Sequence, residues 1–106
     1  QFDDRFFIVD WKSNFLGASV EDYSTEALVE VMRDDLYFLQ YHLYVVALHQ
    51  YLKTRLSDYD YETHFGGVFY IFLRGVHPET GTHAGIYRDR PAKGAIESLC
   101  KNMIAN

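Results

Sequence analysis

This sequence contains almost no cysteine and no apolar run long enough to cross a membrane. Cys100 is the only cysteine among the 106 residues. The chain therefore cannot form a disulfide within itself, and we expect a reducing, cytoplasmic location. The apolar run before Asp10 is far too short to span a bilayer and lacks the layout of a signal peptide. We accordingly expect no membrane partner.

Positive charge is also scarce. Ten Lys and Arg residues stand against fifteen Asp and Glu residues, and the formal net charge is −5 at pH 7. This balance argues against a module that binds nucleic acid through a broad basic surface. It does not exclude a nuclease, because a metal site is itself acidic. The sequence also lacks a Gly-x-x-x-x-Gly-Lys-Ser/Thr loop, the phosphate-binding loop of many ATP-hydrolysing proteins.

Apolar material is plentiful, since 48% of the residues are hydrophobic and 17% are aromatic. Residue patterns predict a strand over 5–12, a short helix over 25–32, a long helix over 35–56, a strand over 68–73 and a final helix over 92–104. This order predicts an α/β fold with a right-handed crossover, in which the strand over 68–73 is central and covered on both faces. Two strands make a thin sheet. We therefore interpret residues 1–106 as the C-terminal portion of a single domain whose early strands are missing.

The long helix carries apolar residues at three- and four-residue spacing, as the apolar face of a helix does. They are Leu36, Leu39, Leu43, Ala47, Leu48, Tyr51 and Leu52.

An acid and a base follow the first apolar run. Asp10 and Lys12 are two positions apart in a predicted strand, so their side chains point the same way, while Val9 and Trp11 point the other way. Charges at the end of a buried strand must pair, bind a metal or meet water. The pair is what a metal-dependent nuclease needs, because the carboxylate can hold a divalent ion and the ammonium can sit beside the attacking water. A simple salt bridge explains the spacing equally well.

Gln40 and Tyr44 lie four residues apart on the long helix and share a face. Gln40 interrupts an otherwise apolar face, so its amide must find a partner. One interpretation is a hydrogen bond to a core carbonyl, with Tyr44 as packing. The other is that both side chains reach the strand of Asp10 and Lys12 and orient the site.

The order and spacing of four segments resemble a known family. The segments are Val9-Asp10-Trp11-Lys12-Ser13-Asn14, Leu39-Gln40-Tyr41-His42-Leu43-Tyr44, the run from Asp58 to Gly67, and Tyr70-Ile71-Phe72-Leu73-Arg74-Gly75-Val76. They are similar to the C-terminal nuclease domain of the RecB-type beta subunit of exodeoxyribonuclease V. That domain belongs to the PD-(D/E)XK nuclease superfamily, whose restriction-endonuclease-like core is a central sheet flanked by helices. The similarity runs from about Arg5 to the final helix.

The resemblance implies a role for each matching residue. Asp10 matches the acidic ligand of a magnesium ion, to which the backbone carbonyl of Trp11 adds a further oxygen. Lys12 matches the catalytic lysine, and Gln40 and Tyr44 match the Gln-x-x-x-Tyr motif. In the parent enzyme this domain would cleave DNA at double-strand ends for recombinational repair, and separate motor domains would use ATP.

The resemblance also implies an incomplete site. The family has another essential Asp about a dozen residues before the position of Asp10, and a histidine ligand further upstream, both ahead of Gln1. Asp3 and Asp4 are the nearest acids, but we place them in a turn. We therefore expect the isolated chain to cleave little or no DNA, and to self-associate through uncovered apolar surface.

Basic residues near the ends of the later elements are candidate DNA contacts. They are Arg74, Arg88, Arg90 and Lys93, which ordinary surface charge explains equally well. The implied partners are DNA and the other subunits of the exodeoxyribonuclease V complex. The alternative function is a non-catalytic scaffold that docks partner subunits or DNA.

Overall fold

The fold is a mixed α/β arrangement, and the computed structural model describes residues 5–79 and 84–104, with the backbone alone for 103 and 104. In chain order the elements are β1 (Phe6–Lys12), a 3-10 turn (Val20–Tyr23), α1 (Thr25–Asp34), α2 (Tyr37–Arg55), α3 (Tyr61–His64), β2 (Phe65–Phe72), a second 3-10 turn (Leu73–Gly75), β3 (Ile86–Asp89) and α4 (Lys93–Ile104). No helix within these ranges is both long enough and apolar enough to cross a membrane.

Among the residues that the structure describes, the sheet has three strands in the order β1-β2-β3. β1 runs parallel to β2, and β3 runs antiparallel to β2. The central position of β2 is confirmed. The prediction of two strands was wrong, because β3 is only four residues long and shows too little alternation to be recognised. The hand of the crossover from β1 to β2 stays a prediction.

Helix ends follow the local chemistry of the sequence. α1 begins after Ser24, whose side chain accepts a hydrogen bond from the backbone N–H of Ala27. α2 begins after Leu36, which adopts a left-handed conformation with φ of 61° and so separates the two helices sharply. The residues after α2, predicted as a plain connection, contain the single turn α3, whose N-cap is Asp60.

The buried face of α2 differs from the predicted one. The helix buries Tyr41, Val45, Val46, His49 and Leu52. Most of the predicted stripe is exposed instead: Leu36 by 65%, Leu39 by 57%, Leu43 by 41% and Tyr51 by 54%. The prediction failed because α2 carries apolar side chains on all sides, so spacing alone cannot select the face that packs on the sheet.

The sheet has one covered and one open face. Tyr70 of β2 packs against Tyr37 and Tyr41 of α2, with ring centroids 5.5 and 5.8 Å apart. The opposite face carries Val9 and Trp11, which are 47% and 60% exposed. The expectation that β2 is covered on both faces was therefore wrong for the described residues. Both faces are apolar, but within the part of the chain that the structure describes only one of them is covered by helices.

The open face leads us to expect that the isolated chain self-associates with a second copy. Trp11 and Val9 would bury apolar surface there, and the outer edge of β1 has no strand partner among the described residues. Sedimentation velocity over a wide concentration range should show a dimer or larger species. Trp11→Lys should weaken the association about tenfold or more, and Val20→Lys, at another exposed apolar position, should not. A monomer at every concentration would contradict this expectation.

His49 is the buried polar residue of α2, 5% exposed, with its Nδ1 2.7 Å from the hydroxyl of Tyr59. Burial lowers the pKa of His49, and the positive charge of Lys53 lowers it further. The folded chain thus resists protonation at a pH where the unfolded chain, with an ordinary histidine pKa of about 6.5, already binds a proton.

We therefore expect the free energy of unfolding to fall as the pH is lowered from about 7.5 to about 5.5, because the unfolded state then binds more protons than the folded state. The contribution of His49 is fully present above the unfolded pKa and is lost as the pH falls through the lowered one. Urea unfolding of the wild type and of His49→Gln at several pH values measures it. Equal pH slopes for the two proteins would rule out this role of His49.

Candidate active site

Asp10 and Lys12 lie at the carboxyl end of β1, on the face that α2 covers. Lys12 Nζ is 3.3 Å from Asp10 Oδ1, and their side chains are only 15% and 20% exposed, respectively. In the register of the two strands, Asp10 is paired with Tyr70 of β2, and Lys12 is paired with Phe72. The pair is therefore a largely buried ion pair and not a surface one, and such a pair needs further polar partners.

Gln40 supplies one of these partners. Its Oε1 accepts a hydrogen bond of 3.2 Å from Lys12 Nζ and another of 2.5 Å from the hydroxyl of Tyr70. Lys12 can only donate, so the amide oxygen and not the nitrogen must face it. The alternative prediction, in which Gln40 bonds a core carbonyl, was wrong, because the partners of its side chain are Lys12 and Tyr70.

Tyr70 is fully buried in β2 and was not predicted as part of the site. Burial raises the pKa of its hydroxyl well above the ordinary range, and the negative charge of Asp10 raises it further. Tyr70 therefore remains a protonated donor toward Gln40 throughout the neutral range. One signal was available in the sequence: Tyr70 holds the only side-chain hydroxyl in an otherwise apolar strand, and a buried hydroxyl needs a partner.

Tyr37 is the second site residue that sequence reasoning missed. Lys12 Nζ lies 4.2 Å from the centroid of its ring and 5.3 Å from that of Tyr70. The Tyr37 hydroxyl lies 3.4 Å from Asn14 Oδ1, and Asn14 Nδ2 donates to Asp35 at 3.1 Å. These bonds tie the loop after β1 to the start of α2.

Tyr44 lies one turn after Gln40 on α2 and is 42% exposed. Its hydroxyl is close enough to Tyr70 to contribute to the raised pKa of that residue. No hydrogen bond links Tyr44 to Gln40 or Lys12, all three of which are described. The structure thus brings Asp10, Lys12 and Gln40 into contact and leaves Tyr44 at the rim.

A magnesium site is only partly provided for. Asp10 contributes one carboxylate at the end of the strand, which is the hard oxygen ligand that magnesium prefers. Within residues 5–79 and 84–104, no group of three or more His, Cys, Asp or Glu side chains could hold a metal ion. Asp3 and Asp4 lie outside the described residues. Among the described residues, Asp10 can therefore supply one ligand of a magnesium site. The binding of magnesium and the contribution of the Trp11 carbonyl stay predictions.

The four predicted basic residues do not form one patch. Arg74 follows β2 at the same end of the sheet as Lys12, and its Nε donates to the carbonyl of Ser13 at 2.8 Å. Arg90 donates to the carbonyls of Phe65, Tyr61 and Glu62 at the other end. The other two lie away from the Lys12 end: Lys93 Nζ is 3.9 Å from Asp60, and Arg88 is exposed on β3 opposite Phe69.

The fold and the site define an α/β chain that holds an acid–lysine pair at the end of a parallel strand. No family model matches the sequence. The chain is 48% identical over 104 residues to the RecBCD enzyme subunit RecB of Escherichia coli, a match that covers 95% of this chain and 8% of that protein. It is 45% identical to RecB of Haemophilus influenzae over 90% of this chain, and 41% identical to RecB of Mycobacterium tuberculosis over 90%.

These similarities confirm the resemblance found in the sequence motifs: over 90% or more of its length, the chain is similar to a part of these RecB proteins. It spans only about 8% of the length of the RecB proteins from Escherichia coli and Haemophilus influenzae.

Proposed function

We propose that this chain is the C-terminal portion of the magnesium-dependent nuclease domain of an ATP-dependent helicase-nuclease that processes double-strand DNA ends. The contact of Lys12 with both Asp10 and Gln40 carries the proposal, since motif residues 28 positions apart meet at one strand end. The similarity to RecB, a subunit of the RecBCD enzyme, supports the same parent. We further propose a fold of the PD-(D/E)XK type.

The residues of this chain have distinct tasks in phosphodiester hydrolysis. Asp10 would be one oxygen ligand of magnesium, which supplies Lewis-acid activation of water and neutralises phosphate charge when bound. Lys12 holds a positive charge beside that carboxylate, where it can orient the attacking water and stabilise charge that develops on the phosphate. Gln40 fixes the ammonium of Lys12 from the α2 side, and the partly exposed Tyr44 lies at the rim.

DNA contacts would begin at the end of the sheet where the parallel strands β1 and β2 finish. Arg74 is the predicted basic residue that lies there, with its guanidinium 5.8 Å from the exposed ring of Phe15. A cation and an exposed aromatic ring side by side suit a phosphate and an unstacked base. Arg88, Arg90 and Lys93 would contact DNA only on a path that passes the far end of the sheet.

The test compares this chain with the full-length parent protein. Calorimetric titration should show magnesium binding to the parent and little binding to the chain alone, since one carboxylate is too few ligands. The parent should cleave linear DNA, and its Asp10→Asn variant should lose both cleavage and a magnesium ion while retaining DNA-stimulated ATP hydrolysis. The matched control is Asp58→Asn, at an exposed loop carboxylate. A parent that cleaves DNA equally well with Asp10→Asn would overturn the proposal.

A scaffold that docks partner subunits or DNA is the second candidate. The open sheet face with Val9 and Trp11 favours it, because exposed apolar patches mark interaction surfaces. Under this function, Asp10→Asn and Lys12→Met would leave every activity of the complex unchanged. Trp11→Lys would instead weaken its assembly.

A further inference from the structure

Two adjacent tyrosine rings lie against the ammonium of Lys12, and we name this pair, Tyr37 and Tyr70, the aromatic clamp. The ammonium lies 4.2 Å from the centroid of the Tyr37 ring and 5.3 Å from that of the Tyr70 ring. The two centroids are 5.5 Å apart, with an angle of 46° between the ring planes. The two distances from the ammonium to the ring centroids are within the range in which a cation is attracted to the negative face of an aromatic ring.

The clamp completes a set of restraints around one charged atom. Lysine has a flexible stem and a point charge that a single ion pair does not hold in one place. Here the ion pair with Asp10 and the hydrogen bond to Gln40 fix the ammonium from two sides, at 3.3 and 3.2 Å. The clamp adds apolar ring surface on a further side, where the two adjacent rings lie.

Tyr70 has a second effect through its hydroxyl. It donates to Gln40 Oε1 at 2.5 Å, and the same oxygen accepts from Lys12. Two donors on one oxygen fix the orientation of the amide, since rotation by half a turn would place its NH2 group against the ammonium. Tyr70 therefore positions Lys12 both directly, with its ring, and through Gln40.

The two residues of the clamp belong to the central strand and to the start of α2. Tyr70 is fully buried in the central strand, and Tyr37 is the first residue of α2, linked through its hydroxyl to Asn14. An enzyme gains rate when a charged group is held in place before the reaction, because no reorganisation is then needed at the transition state. The clamp lies against the ammonium of Lys12 and can therefore hold this positive charge in place before the reaction.

We propose that Tyr37 and Tyr70 are positioning residues that hold the Lys12 ammonium in its working place during phosphodiester cleavage. The proposal rests on the proposed nuclease function. In this role neither tyrosine contacts the substrate. Substitution of either residue should therefore lower the rate of the chemical step and leave the binding of DNA unchanged. Ring surface should matter at Tyr37, whereas ring and hydroxyl should both matter at Tyr70.

The position of Lys12 can be measured without any cleavage assay. The chain has four lysines, so selective 13Cε labelling of lysine gives four signals, and Lys12→Arg identifies the one of interest. Ring currents from the clamp should shift the Lys12 Hε protons upfield of those of the other three. Tyr37→Leu should abolish much of that shift, and Tyr37→Phe should retain it. An unshifted Lys12 signal in the wild type, or a shift unchanged in Tyr37→Leu, would overturn the clamp.

The kinetic test uses the full-length parent protein and linear DNA. Tyr37→Leu should lower kcat about tenfold with KM unchanged, as small displacements of a catalytic group do, and Tyr37→Phe should restore most of the rate. Tyr70→Phe keeps the ring in the core and should lower kcat less than Tyr37→Leu. Tyr51→Leu, at an exposed tyrosine of the same helix, is the control that keeps the full rate.

The outcomes separate this proposal from the proposed function. A wild-type kcat in Tyr37→Leu, in a parent whose cleavage requires Lys12, would overturn the positioning role alone. Equal losses in the Phe and Leu variants at Tyr37 would also overturn it, because a ring effect predicts rescue by Phe. Cleavage that does not require Lys12 would overturn the proposed function and the catalytic part of the clamp together, whatever the NMR shift.

Discussion

Lys12→Met in the full-length parent is expected to lower the rate of linear DNA cleavage by about 10²–10³-fold, the usual effect of removing one charge-stabilising donor from a transition state. Methionine keeps most of the apolar stem of lysine and removes the ammonium, with its charge and its hydrogen bond to Gln40. Lys12 Nζ is 3.3 Å from Asp10 and 3.2 Å from Gln40, and no other described cation forms an ion pair with Asp10. Single-turnover cleavage of end-labelled DNA would measure the loss in the chemical step.

Lys12→Arg should not restore the rate. The planar guanidinium requires a different set of contacts from a compact ammonium, and the centroids of the Tyr37 and Tyr70 rings already lie 4.2 and 5.3 Å from the ammonium. Lys53→Met, at an exposed lysine in the last turn of α2, is the matched control and should cleave as the wild type does. DNA-stimulated ATP hydrolysis should be the same in all of these proteins. Full cleavage by Lys12→Met would remove this residue from the mechanism.

Phe72→Ala is expected to lower the free energy of unfolding of the chain by about 3–5 kcal/mol, the range for removing a large aromatic side chain from a packed core. Phe72 is fully buried at the end of the central strand, opposite Lys12 in register, and its ring centroid is 6.4 Å from that of Tyr37. The truncation leaves a cavity beneath the start of α2. Urea unfolding followed by circular dichroism would measure the loss.

Leu73→Ala provides the comparison at the next residue. Leu73 is 52% exposed, so its truncation should change the free energy of unfolding by no more than about 0.5 kcal/mol. The contrast between neighbours tests the register of β2 directly, because a shift by one residue would exchange their environments. Similar losses for the two variants would show that the described register is wrong.

Much of the fold could be predicted from local patterns. The bounds of β1, α1 and α4 lie within about two residues of the predicted ones. Each of these elements has a local end signal in the sequence: charged residues at the end of β1, a Ser cap before α1 and a Pro before α4. The inner face of α2 could not be predicted, since apolar residues surround that helix. Its orientation depends on which side chains fit the sheet, and this is a tertiary property.

The candidate site shows the same division. The contact of Gln40 with the strand of Lys12 was one of two alternatives that the sequence left open, because a buried amide requires a polar partner but the pattern does not say which one. Tyr37 and Tyr70 could not be distinguished from core aromatics, since the sequence contains nine tyrosines and gives no sign of which lie beside a lysine. Contacts between a ring face and a cation leave no periodic signal in the sequence.

The place of β1 at the edge of the sheet has a consequence for motion. Backbone amides of an edge strand that face away from its neighbour have no ladder partner, so within the described residues β1 is held from one side only, by β2. Hydrogen exchange should therefore be faster along β1 than along β2, in an alternating pattern. The strand that carries Asp10 and Lys12 is thus the softer of the two parallel strands. A polypeptide that paired with its outer edge would stiffen the site without contacting either charged side chain.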